Sequence, residues 1–206
     1  QLHLFYGDLA ASPGSLLTFL VWQGGSAGQA GAGQVSEIAL AIPEGSIGYW
    51  LERALTHQVK VEGTGQEFGE TALRLRDPDG FLIKLVSADV PALEMPDGDV
   101  PLEHRVRRIR GVTLLSDVHE ESADYLSRYF GFAKAGSEGP IQRMVSDIGD
   151  VIDIRDAAGF WPGAPGAGTA DHVAVRAVDA AQVEAVEAEL RKRNSSLTTL
   201  HDRNYF

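Results

Sequence analysis

The 206-residue chain contains no cysteine. That absence removes disulfides, thiolate metal sites and cysteine nucleophiles, and it leaves His, Asp and Glu as the strong metal ligands. Positive charge is scarce: 18 Lys and Arg stand against 29 Asp and Glu, giving a formal charge of -11 and a pI near 4.9. An acidic surface repels phosphate at long range, so neither nucleic acid nor an anionic membrane is an expected partner. No apolar run approaches the ~18 residues of a membrane span, and no basic stretch followed by an apolar core resembles a signal peptide, so a cytoplasmic location is expected. What remains is 44% hydrophobic and 23% charged, a composition suited to ordinary globular domains with a buried core.

The chain repeats itself. Three segments, GQVSEIALAIPEGSIGYWLERAL from Gly33, IRGVTLLSDVHEESADYLSRYFGF from Ile109 and TADHVAVRAVDAAQVEAVEAELRKR from Thr169, share one plan. Each is a short apolar strand, a polar or proline break and an amphipathic helix. In the third, Val183, Val186 and Leu190 fall on one helical face and are expected to pack into a core. A second set, LHLFYGDLAASPGSLLTFLVW, GETALRLRDPDGFLIKLVS and IQRMVSDIGDVIDIRDA, reads as strand, turn, strand. Together they define a βαβββ unit in an α+β fold.

The expected organisation is the back half of a unit at 1–23, full units at 33–89 and 105–158, and the front half of another at 168–206. The connecting segments 24–32, 90–104 and 159–167 are rich in Gly and Pro and read as joints. A phosphate loop is the sharper reading of the first, but it lacks the GK[ST] ending, and Val35 opens a strand where a helix should start.

Equivalent units imply equivalent positions. Two residues before the apolar centre of the first strand stand Glu37, Gly111 and His172; in the last strand stand Thr18, Lys84 and Asp153. Alternation along a strand points all of them into the hollow of a curved sheet. The spacing is 47 residues from Glu37 to Lys84 and 42 from Gly111 to Asp153. Carried forward from His172 and backward from Thr18, it leads past Phe206 and before residue 1, so two partner positions are expected outside this stretch. In the middle units, a structural ion pair of Lys84 with Glu37 or Asp153 is expected to fill the hollow. His3, His57, His104, His119 and His201 share no ligand-like spacing and read as surface or structural residues.

In these units and in the segments GAGQVSEIALAIPEGSIGYWLERAL, GTADHVAVRAVD and HDRNYF, the chain resembles the vicinal-oxygen-chelate superfamily. Within it, the likeness is greatest to four-unit dioxygenases that open hydroquinone-type rings. The resemblance implies curved mixed sheets and a mononuclear Fe(II) site, with Mn(II) as the alternative metal, held by two His and one Glu. Only the His of the fourth unit has a counterpart here, His172. Two His and one carboxylate on one face of a metal leave adjacent positions for a phenolic oxygen and O2.

Arg203 matches an arginine near the substrate, suited to stabilising oxyanion charge. Tyr205 and Phe206 also match but receive no role. Asp171 stands where relatives often carry a second His, and a carboxylate there can move a proton or orient the ligand. The implied partners are a small aromatic substrate and O2, and homo-oligomerisation is left open. The competing readings are a glyoxalase-type isomerase or lyase and a noncatalytic binder of the bleomycin-resistance type.

Overall fold

The computed structural model describes residues 2–89 and 98–200. Gln1 to Val173 form one compact unit and Ala174 to Phe206 a second.

The first unit opens with a two-stranded antiparallel hairpin, β1 (Leu2–Tyr6) and β2 (Leu17–Val21). Two βαβββ units follow: β3 (Val35–Ile42), α1 (Ile47–Thr56), β4 (Lys60–Glu67), β5 (Glu70–Arg76) and β6 (Leu82–Ser87), then β7 (Arg108–Ser116), α2 (His119–Phe130), β8 (Ala133–Glu138), β9 (Ile141–Val145) and β10 (Val151–Asp156). They merge into one eight-stranded mixed sheet of order β4-β5-β6-β3-β7-β10-β9-β8. Within each unit the first and last strands run parallel, β3 with β6 and β7 with β10. The two units meet where β3 and β7 pair antiparallel at the sheet centre.

Alternation along the central strands decides what each face holds. Ile38, Leu85, Leu73, Val112, Ile152 and Ile154 point to the helix side and make two apolar cores beneath α1 and α2. Glu37, Lys84, Thr113, Asp153 and Arg143 are buried and belong to the opposite, concave face. At ~25 cal/mol per Å², the apolar face supplies the drive for packing the sheet against its helices. Polar groups on the other face must then satisfy one another.

Between the units, Leu102–His104 form one turn of 3-10 helix docked on α1. Trp50 donates its indole N–H to the His104 carbonyl at 2.7 Å, Ser46 Oγ lies 3.0 Å from His104 Nδ1, and Tyr49 stacks on the imidazole. His104 is thus a structural residue, as its spacing suggested.

The segments read as joints at 24–32 and 159–167 are not slack. They lie side by side and exchange backbone hydrogen bonds, including Gly28 N–H to Ala167 O at 2.8 Å and Ala164 N–H to Gln29 O at 2.9 Å.

Two expectations are corrected. The segment from Thr169 is expected to open with an apolar strand, yet residues 170–178 form none, and Val173, Val175 and Val178 are exposed. A strand persists only when a neighbour takes its amide hydrogens, and no strand among the described residues pairs with this one. In the second unit, α3 (Ala180–Lys192) is a helix capped by Asp179, whose carboxylate accepts from Gln182 N–H at 2.8 Å. Of its expected core stripe, however, only Leu190 is buried, while Val183 is exposed.

Candidate functional site

His172 sits just beyond the paired Gly/Ala segments, outside any helix or strand, with its side chain 75% exposed. Its Nδ1 lies 2.7 Å from Asp171 Oδ2. With Nδ1–H donating to that carboxylate, a ring lone pair is left on Nε2, which accepts no hydrogen bond among the described residues. An imidazole oriented from behind by a carboxylate is the usual state of a metal-ligating histidine. The donor chemistry therefore fits one metal ligand and its outer partner. Among the described residues no group of three or more His, Asp and Glu side chains could hold a metal ion, so a full ligand set is not assembled by them. Arg203, with Tyr205 and Phe206, lies outside the described residues.

The hollow between the two complete units is filled differently. Lys84 Nζ lies 3.0 Å from Glu37 Oε1, 3.3 Å from Glu67 Oε2 and 3.6 Å from Asp153 Oδ2. The expected ion pair is present, and it is larger than expected. Arg74 holds Glu37 through both carboxylate oxygens, at 2.8 and 3.1 Å, and reaches Glu67 at 2.6 Å. Arg143 grips Asp153 with two bonds of 2.8 Å and Glu70 with one of 2.6 Å; Arg110 binds Glu70 from the other side. Thr113 completes Glu37 with a hydroxyl at 2.9 Å. Four carboxylates thus meet four cations, Lys84, Arg74, Arg143 and Arg110, and every contact is charge-assisted.

Burial alone would raise the Glu37 carboxyl, but the Arg74 hydrogen bonds and the nearby Lys84 ammonium outweigh it and hold its pKa at about 2. Arg143 is pushed the other way: burial would lower it, while Asp153 and Glu70 raise it.

Sequence reasoning found Glu37, Lys84 and Asp153 and missed Glu67, Glu70 and the three arginines, of which Arg74 and Arg143 are the ones paired directly with the expected residues. The signal was available in the hairpin register. Arg74 faces Lys84 across the turn at 77–80, and Arg143 faces Asp153 across the turn at 146–150. Gly111, the counterpart of Glu37, admits no side chain, because a Cβ there would stand 2.0 Å from the Val151 carbonyl oxygen.

The hollow is also closed from above. Phe68 lies over the Arg143 guanidinium at 4.1 Å from its ring centroid, and its N–H donates to Glu138 across the sheet mouth. Phe68 and Gly69 both have positive φ, 51° and 76°, the geometry of a type I′ hairpin turn. A cleft of about 310 Å³ at this junction is lined by Glu67, Phe68, Glu138, Pro140, Ile141 and Arg155, with no histidine among its walls.

No family profile matches the chain. Over 210 residues and 99% of its length it is 32% identical to MhqO of Bacillus subtilis strain 168, provisionally assigned as a ring-cleaving dioxygenase. It is 29% identical over 188 residues, 86% of the chain and 58% of the relative, to the chlorohydroquinone/hydroquinone 1,2-dioxygenase of Sphingobium indicum. A crystal structure of a provisionally assigned dioxygenase from Bacillus subtilis superposes with a TM-score of 0.89 at 30% identity, covering 98% of this chain and 66% of that one. Glyoxalase I from Zea mays shares the fold, with a TM-score of 0.55 at 15% identity over 86% of this chain and 60% of that one. The chain spans 66% of the length of MhqO.

Proposed function

Because the chain belongs to the vicinal-oxygen-chelate superfamily, we propose that it is the larger part of a ring-cleaving dioxygenase, one that inserts O2 into a phenolic ring of the hydroquinone type at a mononuclear Fe(II) site. The observation that carries this reading is the likeness, over nearly the whole chain, to proteins assigned as ring-cleaving dioxygenases. When bound, the metal supplies the redox chemistry that lets a phenolic substrate and O2 react.

The residues of this chain have narrower tasks. His172 binds the metal through Nε2. Asp171 accepts the Nδ1 proton, fixes the tautomer and holds the ring plane. As a carboxylate it can also take up a proton during the reaction. Arg203 neutralises negative charge that develops on the substrate oxygen as the ring opens. The hollow between the complete units takes no part in this chemistry, since its carboxylates are already neutralised by lysine and arginine.

The test is oxygen uptake by the full-length protein loaded with Fe(II), with hydroquinone and its chlorinated forms offered in turn. Uptake dependent on both metal and substrate is expected; inactivity across that panel would reject the reading.

A further inference from the structure

The sequence treats GGSAGQAGAG and FWPGAPGAG as slack connections, and the structure packs them as a ladder. Six backbone hydrogen bonds cross between them. Gly28, Gln29 and Ala32 donate to Ala167, Ala164 and Trp161, and Gly163, Ala164 and Ala167 donate back to Ala32, Gln29 and Ser26, all at 2.8–3.0 Å. The two backbones are too close for side chains. A Cβ on Gly28 would stand 2.8 Å from the Gly166 nitrogen, one on Gly166 2.5 Å from the Gly28 nitrogen, and one on Gly31 2.3 Å from the Trp161 carbonyl oxygen.

The ladder is anchored at both ends. Gly33 N–H donates to the Leu115 carbonyl of β7, and Gly168, at φ +80°, packs against the Asp79 carbonyl in the turn between β5 and β6. Thr169 closes the last step, its hydroxyl donating to Gly166 O at 2.8 Å. Three residues later comes His172.

We infer that this Gly/Ala ladder is the positioning element of the metal site: it fixes the path of residues 168–172 and so the place from which His172 presents Nε2. The inference rests on the reading of His172 as a ligand. Residues 170–178 have no strand partner among the described residues, so the orientation of Asp171 and His172 is inherited from the last ordered hydrogen bonds before them. Those are the bonds of Ala167 and Thr169. Six bonds for so short a stretch also exceed what a flexible joint would form, because a glycine gives up the most backbone entropy on being ordered.

The test compares Gly28→Ala and Gly166→Ala with Gly136→Ala, whose Cβ meets nothing within 4 Å, in the full-length protein. Amide hydrogen exchange is read by segment, and Mn(II) binding by the loss of the free-ion electron-spin signal. In the two ladder variants, exchange across 160–169 and 170–176 should rise about tenfold or more and Mn(II) affinity fall about tenfold or more. Exchange in β7 and β10 should stay at the level of Gly136→Ala.

Faster exchange in the ladder with wild-type Mn(II) affinity would overturn the inference. If the wild-type protein binds no Mn(II), the ligand reading of His172 fails on its own, and the ladder's role is decided by the exchange data. Spread into 170–176 upholds its control of that segment, and confinement to 160–169 overturns it. Should the alanine variants fail to fold, Gln29→Pro, which deletes one ladder N–H without adding a side chain at a glycine, is read by the same criteria.

Discussion

Lys84 Nζ and Glu37 Oε1 lie 3.0 Å apart with both side chains almost fully buried, and the lysine carries the one ammonium in a cluster otherwise neutralised by guanidinium groups. The pair occupies the concave face at a place equivalent, by repeat position, to His172. Removing one member of a buried, mutually satisfied set leaves an uncompensated charge, and that cost exceeds the net worth of the pair itself. Lys84→Met should therefore lower unfolding stability by about 3 kcal/mol, measured by urea denaturation at neutral pH. The double variant Lys84→Met/Glu37→Gln restores charge balance and should recover part of that loss; equal losses in the single and double variants would contradict the coupling.

The depressed Glu37 carboxyl links stability to acidity. A group whose folded pKa, about 2 here, lies below its ordinary value of 4.5 stabilises the fold above the ordinary value. That contribution disappears as pH falls from about 4.5 through 2. The difference corresponds to about 3 kcal/mol at full ionisation. Wild-type protein should lose stability relative to Glu37→Gln across that window and hold a constant difference from it between pH 6 and 8, checked by urea midpoints at a series of pH values.

Gly111 is the counterpart of Glu37 that can carry no side chain. Gly111→Ala forces a methyl against the Val151 carbonyl between two parallel strands of the sheet centre. A loss of roughly 2–3 kcal/mol is expected. Gly136→Ala, in open space on β8, should change stability by no more than about 0.5 kcal/mol. Thermal melts of the two variants side by side give the comparison.

Asp171 is assigned to hold His172 rather than to bind metal. Asp171→Asn keeps the size and loses the charge, so metal affinity should fall about tenfold or more while the fold is unaffected. His172→Ala should abolish binding. Metal titration of the two variants followed by circular dichroism separates these outcomes from unfolding.

Much of the fold is legible because period-2 alternation gives way to helical spacing at Pro43 and Asp117 and returns at the turns, and the pattern recurs. Glu37, Lys84 and Asp153 could be placed by counting along that repeat. Arg74 and Arg143 could not be placed that way, because their partners lie across hairpins and register is set by the turn rather than by spacing in the chain. The ladder was hidden for another reason: Gly and Ala are what a linker contains and also what two backbones in contact require. His172 shows the reverse limit. Its alternating neighbours Val173 and Val175 look like a strand, but a strand is a property of a pair, and none of the described strands lies beside it.

The central claim, that this chain serves oxygen-dependent ring cleavage with His172 as a metal ligand, is tested most directly by isotopically labelled O2. Full-length, Fe(II)-loaded protein is supplied with hydroquinone, and the ring-opened product is analysed by mass spectrometry beside that of His172→Ala. Both atoms of the label in the wild-type product, and no product from His172→Ala, are the predicted result. A product free of label, or one formed equally well by His172→Ala, would contradict the account.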